Sequence, residues 1–243
     1  MQSTSPRQNR TGAALHPKGV EKMLQAVDEL SPPVQINTLR MDAERQTYIT
    51  EAESVGSIPS PPEDAEPSPA LVLFLDKLGE RIAFERTGTR LYSALISKHL
   101  ALANAGEEPP LATAGEDVSD TLQRIRSEEL AHFHLLCAAV AELGGDPTVQ
   151  TPCADVTATA SAGLMQVVTD PRTTFAQSLG AILTAELTDN AGWELLITLA
   201  EDTGHTQLVD TFAQALEAEQ QHLLTVRGWI EALLKDEAGT PAV

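Results

Sequence analysis

Two tetrads in this 243-residue chain, Glu129-Leu130-Ala131-His132 and Glu219-Gln220-Gln221-His222, have the residue types and spacing to do chemistry together. On a helix, residues three apart lie about one turn apart on one face, so a carboxylate and an imidazole so placed can reach a single ion. Two further glutamates sit in a shared local frame. Gly79 precedes Glu85 by six positions and Tyr92 follows it by seven; Gly180 precedes Glu186 by six and Trp193 follows it by seven. The chain thus reads as two related helix pairs, each supplying half of a site.

The elements that must position these groups are long helices. The second predicted helix carries the stripe Val118, Leu122, Ile125, Glu129, His132, Leu136, Ala139, Leu143. The fourth carries Leu208, Phe212, Ala215, Glu219, His222, Val226, Trp229, Leu233. Both are apolar at helical period except for the Glu and His. The first, from about Ala70, reads Leu78, Ile82, Glu85, Thr89, Tyr92, Ile96, and the third reads Leu179, Leu183 or Ile182, Glu186, Asn190, Trp193, Ile197. A carboxylate in an apolar seam is costly unless paired or bound to a metal. Four converging carboxylates would repel one another and be driven towards protonation. Two dications neutralise them, and four carboxylates with two imidazoles make the ligand set of a dinuclear carboxylate site. Oxygen donors with a few imidazoles suit iron or manganese better than zinc or copper.

The expected organisation is all-α. Helix two spans about Val118 to Leu143, before Gly144-Gly145-Asp146-Pro147; helix three starts after Asp170-Pro171 and ends near Asp202; helix four runs from about Thr206 to Lys235. Residues 147–171 form a long connection with a short helical piece near Ala162–Val168, which makes a four-helix bundle with one crossover. Residues 1–68 hold Pro59, Pro61, Pro62, Pro67 and one short amphipathic stretch, Val20 to Leu30. They read as an extended proline-rich arm, followed by a bundle over 69–236 and a tail over 237–243.

Composition narrows the function classes. Acidic groups outnumber basic ones 35 to 16, a formal charge of −19. Nucleic-acid binding needs a basic patch, and an anionic membrane surface would repel this chain. The N-terminus shows no apolar signal-like stretch and no segment is apolar enough to span a membrane, so the expected location is cytoplasmic. Cys137 and Cys153 are the only cysteines, too few for a four-Cys metal site.

The pieces Phe84-Glu85-Arg86-Thr87-Gly88-Thr89-Arg90-Leu91-Tyr92, Glu128-Glu129-Leu130-Ala131-His132, Ala185-Glu186-Leu187 and Glu219-Gln220-Gln221-His222 resemble the ferritin-like superfamily, which includes bacterioferritins and rubrerythrins. The resemblance covers roughly residues 70–236. It implies two iron ions, with Glu85 and Glu186 as terminal carboxylates, Glu129 and Glu219 as bridges, and His132 and His222 each on one metal. It implies a ferroxidase or peroxide-consuming oxidoreductase whose partners are metal ions and O2 or peroxide; a homodimer is compatible with it. A manganese enzyme of the catalase kind shares the ligand logic. A non-catalytic, metal-stabilised stress or interaction module is the reading from a different class. Tyr92 and Trp193 are the expected catalytic or hydrogen-bonding aromatics beside the metals. The chain departs from rubrerythrins in having no rubredoxin-like cysteines and from bacterioferritins in having no Met on the main bundle helices for haem.

Other residues are weighed against the same frame. Asp189 and Asn190 lie one turn from Glu186, where either one is placed to orient a ligand histidine. Glu128 is the alternative to Glu129 but falls off the stripe. His134 points to another face, His99 lies about 21 Å along the helix from Glu85, and Glu80, His205 and His16 are expected in solvent. Gly88, at the position where a helix-two or helix-four histidine would stand, is expected either to leave an open coordination position or to permit close helix packing.

Overall fold

The computed structural model describes residues 68–239 apart from 108, 112–116 and 149. Among the described residues the protein is all-helical, with no strand: α1 (Pro69–Ala105), α2 (Val118–Glu142), α3 (Pro152–Thr169), α4 (Phe175–Asp202), a 3-10 turn (Thr206–Leu208) and α5 (Val209–Glu237). The arm expected over 1–68 falls, save its last residue, outside them. No described helix is long and apolar enough to cross a membrane.

Local chemistry sets the helix ends. Ser68 caps α1, its hydroxyl accepting from Leu71 N at 3.2 Å, and Pro69 takes the first helical position, where its missing N–H costs nothing. Asp117 caps α2 and Thr174 caps α4 in a reciprocal box with Gln177. Gly106 closes α1 at φ 73°, a backbone conformation that a side chain would oppose.

Two expectations are corrected. The connection between the second and third predicted helices is not mostly irregular. All of Pro152–Thr169 is helical, because Thr151 caps it, Pro152 starts it, and Ala154, Ala158, Ala160 and Ala162 favour helix strongly enough to carry the intervening threonines. It is anchored to α1, where Asp76 accepts from Cys153 N at 2.9 Å and Thr151 donates to the Asp76 carbonyl at 3.1 Å. Gly79 admits this contact, since a Cβ there would collide with Thr151, whereas its expected counterpart Gly180 faces open space. The last predicted helix opens with the 3-10 turn, and α-geometry begins at Val209.

Helix α1 packs against α2, α3 and α4; α4 packs against α3 and α5; α2 meets α5. The core divides into two apolar clusters. One joins Leu91, Leu95, Leu122, Ile125, Leu179, Ile182, Val226 and Trp229. The other joins Phe74, Leu78, Leu136, Trp193, Leu196 and Phe212. Along α2, α4 and α5 the acidic and histidine residues fall between the residues of these two clusters, so apolar layers flank one polar layer.

Candidate metal centre

Six buried side chains from four helices meet in that layer. Glu85 and Glu219 are 0% exposed, Glu129 and Glu186 2%, His222 0% and His132 7%. Their ligand atoms form two groups that share Glu219. Glu129, Glu186, Glu219 and His222 make one, and Glu85, His132 and Glu219 the other, each with ligand atoms within 4.8 Å of one another. Glu129 also falls in a third group with Glu85 and Asp189. The structure therefore brings together all six residues that the sequence singled out.

Both imidazoles face inward through Nδ1. His132 Nδ1 lies 2.5 Å from Glu219 Oε1 and His222 Nδ1 2.9 Å from Glu219 Oε2, so the two rings flank one carboxylate, with centroids 6.3 Å apart. Glu85 Oε2 and Glu186 Oε2 are buried and accept no hydrogen bond. Such atoms are expensive to bury unless something positive meets them. Carboxylate oxygens without donors, beside two imidazole nitrogens, are a donor set that fits a metal ion.

The electrostatics agree. Burial pushes Glu85 up to about 7, against the opposing pull of Arg81. Burial and the charge on Glu219 push Glu186 up to about 8, and burial with Glu219 raises Glu129 well above the ordinary value. Burial also opposes ionisation of Glu219, but the bonds from His132 and His222 outweigh it and bring Glu219 to about 2. His222 is pushed up to about 12, because its carboxylate partners Glu128, Glu129 and Glu219 overcome the cost of burying its charge. Without metal, protons fill the role that cations would take.

The surrounding residues differ from expectation in instructive ways. Tyr92 donates its hydroxyl to Glu186 Oε1, as its position suggested. Burial and the neighbouring carboxylates raise the phenol well above its ordinary value, so it stays a donor. Trp193 packs edge-on to His132 with ring centroids 5.6 Å apart, but its buried Nε1 has no hydrogen-bond partner. Its part here is packing. Asp189 and Asn190 do not orient a histidine. Asp189 forms a buried ion pair with Arg81, and Asn190 donates to the carbonyls of Glu186 and Glu219 at 2.9 and 3.1 Å, tying α4 to α5. Gly88 leaves no open position, because the Glu129 carboxylate occupies the space where its Cβ would stand. His134 is exposed and His99 is buried against Phe175, both away from the cluster. His205 stacks on Phe74 at 4.7 Å instead of standing in solvent, and Glu80 is half-buried and bonded to Lys77.

Two further groups touch the cluster in ways that the stripe pattern does not show. Glu128, off the stripe, reaches His222 Nε2 at 2.7 Å while Arg124 holds the same oxygen at 2.9 Å. Arg81, 3% exposed, bonds Glu85 Oε1 at 2.6 Å. The Arg81–Glu85 spacing of four is an ordinary helical ion-pair spacing, a signal visible in the sequence. No family model, curated protein or solved structure matches this chain.

Proposed function

We propose that this chain is a dinuclear carboxylate protein of the ferritin-like kind, holding two iron ions and reacting with O2 or peroxide as a ferroxidase or peroxide-consuming oxidoreductase. The observation that carries the reading is the pair of buried ligand groups sharing Glu219, each with its own inward-facing histidine. Glu129, Glu186, Glu219 and His222 would hold one ion, and Glu85, His132 and Glu219 the other. Bound ferrous ions would supply the electrons that reduce the oxidant.

A bundle of α1, α2, α4 and α5, with α3 as the crossover, belongs to the same reading. Its support is the composition of the two core clusters. One gathers the early part of α1 with the late parts of α2 and α4 and the early part of α5; the other gathers the opposite ends. A chain that travels the bundle's length between α2 and α4 would give that arrangement.

The chain's own residues do three things in this reading. Tyr92 fixes the Glu186 carboxylate by donating a proton-retaining hydroxyl. Glu128 accepts at His222 Nε2 and leaves Nδ1 for the centre. The apolar layers keep bulk water away. A cavity of only about 10 Å³, lined by Gly88, Tyr92, Glu129, Glu186 and Asp189, has room for about one water-sized molecule.

Anaerobic titration with ferrous ion, followed by exposure to O2 or peroxide under optical detection, tests the reading. Two ions bound per chain and oxidant-dependent absorbance are expected. Absence of bound iron would overturn it, and O2 release from peroxide by a manganese-loaded protein would move the assignment to the catalase kind.

A further inference from the structure

Among the buried groups, Arg81 is one that the metal reading does not use. Its guanidinium is enclosed, with Nε left without a hydrogen-bond partner: Nη2 bonds Glu85, Asp189 pairs with it from α4, the Phe84 ring centroid lies 4.7 Å away and that of Trp193 5.6 Å away. Gly192 on α4 makes the room, because a Cβ there would collide with Nη1. Arginine keeps its charge under all ordinary conditions.

Five carboxylates in this layer are at most 2% exposed: Glu85, Glu129, Glu186, Asp189 and Glu219. Arg81 cancels Asp189 and leaves four glutamates, the charge of two dications. The cancellation is lopsided, however. Of the six proposed ligands, Arg81 bonds Glu85 alone. The group with Glu85 and His132 has two carboxylates, one of them already bound to a cation, and Glu129 comes within reach of Glu85 in a third group. The group with His222 has three, and the anion Glu128 stands behind its imidazole. A carboxylate behind a ligand imidazole strengthens it as a donor, whereas a guanidinium bonded to Glu85 competes with an ion for that carboxylate.

We propose that Arg81 makes the two metal positions unequal, so that the Glu129/Glu186/Glu219/His222 position fills first and the Glu85/His132/Glu219 position second, with at least tenfold weaker affinity. This rests on the reading of the cluster as a dinuclear centre. Arg81 is a positioning residue that acts through Glu85.

Manganous ion is the probe, since it binds such donors without being oxidised during the experiment. The full chain, freed of metal with a chelator, is titrated while the free ion is counted by electron paramagnetic resonance. Two steps at least tenfold apart are expected. His222→Ala should remove the tight step and His132→Ala only the weak one. Removing the ion pair as a unit, Arg81→Met with Asp189→Asn, should bring the two steps within about threefold by tightening the weaker, while Arg81→Lys, which keeps the charge, preserves the gap. Two equal steps in the unaltered chain, or loss of the tight step in His132→Ala, would overturn the order of filling and leave the dinuclear reading standing. An unchanged gap in a folded double variant would overturn the role of Arg81. No manganese bound at all would overturn both.

Discussion

The carboxylate of Glu129 on α2 occupies the space that a side chain at Gly88 on α1 would fill. The two helices approach closely at the level of the buried cluster, and the missing side chain at Gly88 leaves room for the glutamate. Any Cβ at 88 must push Glu129 aside. Alanine raises helix propensity by about 1 kcal/mol over glycine, while overpacking costs about 1–3 kcal/mol, so the metal-free Gly88→Ala protein should melt at an unchanged temperature or up to several degrees lower. Its metal affinity should fall at least tenfold, because Glu129 belongs to the larger ligand group. Unaltered manganese binding in that variant would show that Glu129 reaches the ions some other way.

This relationship also marks what a sequence discloses. The six candidate ligand positions are legible because each stands in a largely apolar stripe at helical period, a property of one helix read alone. Gly88 is ambiguous for the same reason: whether a missing side chain means an opening or a close approach depends on Glu129, 41 positions later. Arg81 has a readable spacing from Glu85, but its burial depends on Gly192 on a different helix. Glu128 lies off its stripe and meets His222, 94 positions away. The full length of α3 is hard to read because its alanines alternate with threonines, and the capping by Thr151 and the docking on Asp76 settle the balance.

The stability of the metal-free protein should fall as pH rises from 5 to 8. Glu85 and Glu186 are lifted from 4.5 to about 7 and about 8 by burial, so the folded chain holds protons that the unfolded chain releases. Their contribution is complete below about 4.5 and disappears as pH rises through 7 and 8. His222, raised from 6.5 to about 12, adds a contribution that also declines above 6.5. Glu219 acts oppositely, but its contribution is lost only as pH falls from 4.5 through about 2, outside this window. Metal competes with the same protons, so saturating manganese should make the melting temperature rise over the interval. Melting curves at pH 5, 6, 7 and 8 with and without manganese check both slopes; a metal-free protein that grows more stable towards pH 8 would contradict the protonated cluster.

Replacing Tyr92 with Phe removes the hydroxyl that donates to Glu186. A buried hydrogen bond to such a group is worth about 1–3 kcal/mol, so the variant should melt several degrees lower. That bond also lowers the Glu186 value against its burial. Without it, Glu186 holds its proton more tightly at neutral pH, and metal binding should weaken several-fold at pH 7 and recover towards pH 9. A loss of affinity that is the same at both pH values would point to misplacement of Glu186 and not to its proton.

Glu128 offers the sharpest separation of charge from geometry. It is half-exposed, yet it holds Nε2 of the fully buried His222 while Nδ1 faces Glu219. The bond with His222 is the main cause that keeps Glu128 ionised below the ordinary carboxylate range. If Glu128 acts by fixing which nitrogen carries the proton, Glu128→Gln should retain most metal affinity, because an amide oxygen still accepts from Nε2. Glu128→Ala should then lose about 10–100-fold, the usual effect of removing the partner of a ligand histidine. If instead its negative charge is what matters, Gln and Ala should weaken binding alike. Arg124, which shares the same carboxylate oxygen at 2.9 Å, supplies the control. Arg124→Ala leaves Glu128 wholly to His222 and should hold or slightly raise affinity. Manganese titrations of the three variants decide the matter, and equal affinity in all three would remove Glu128 from the centre altogether.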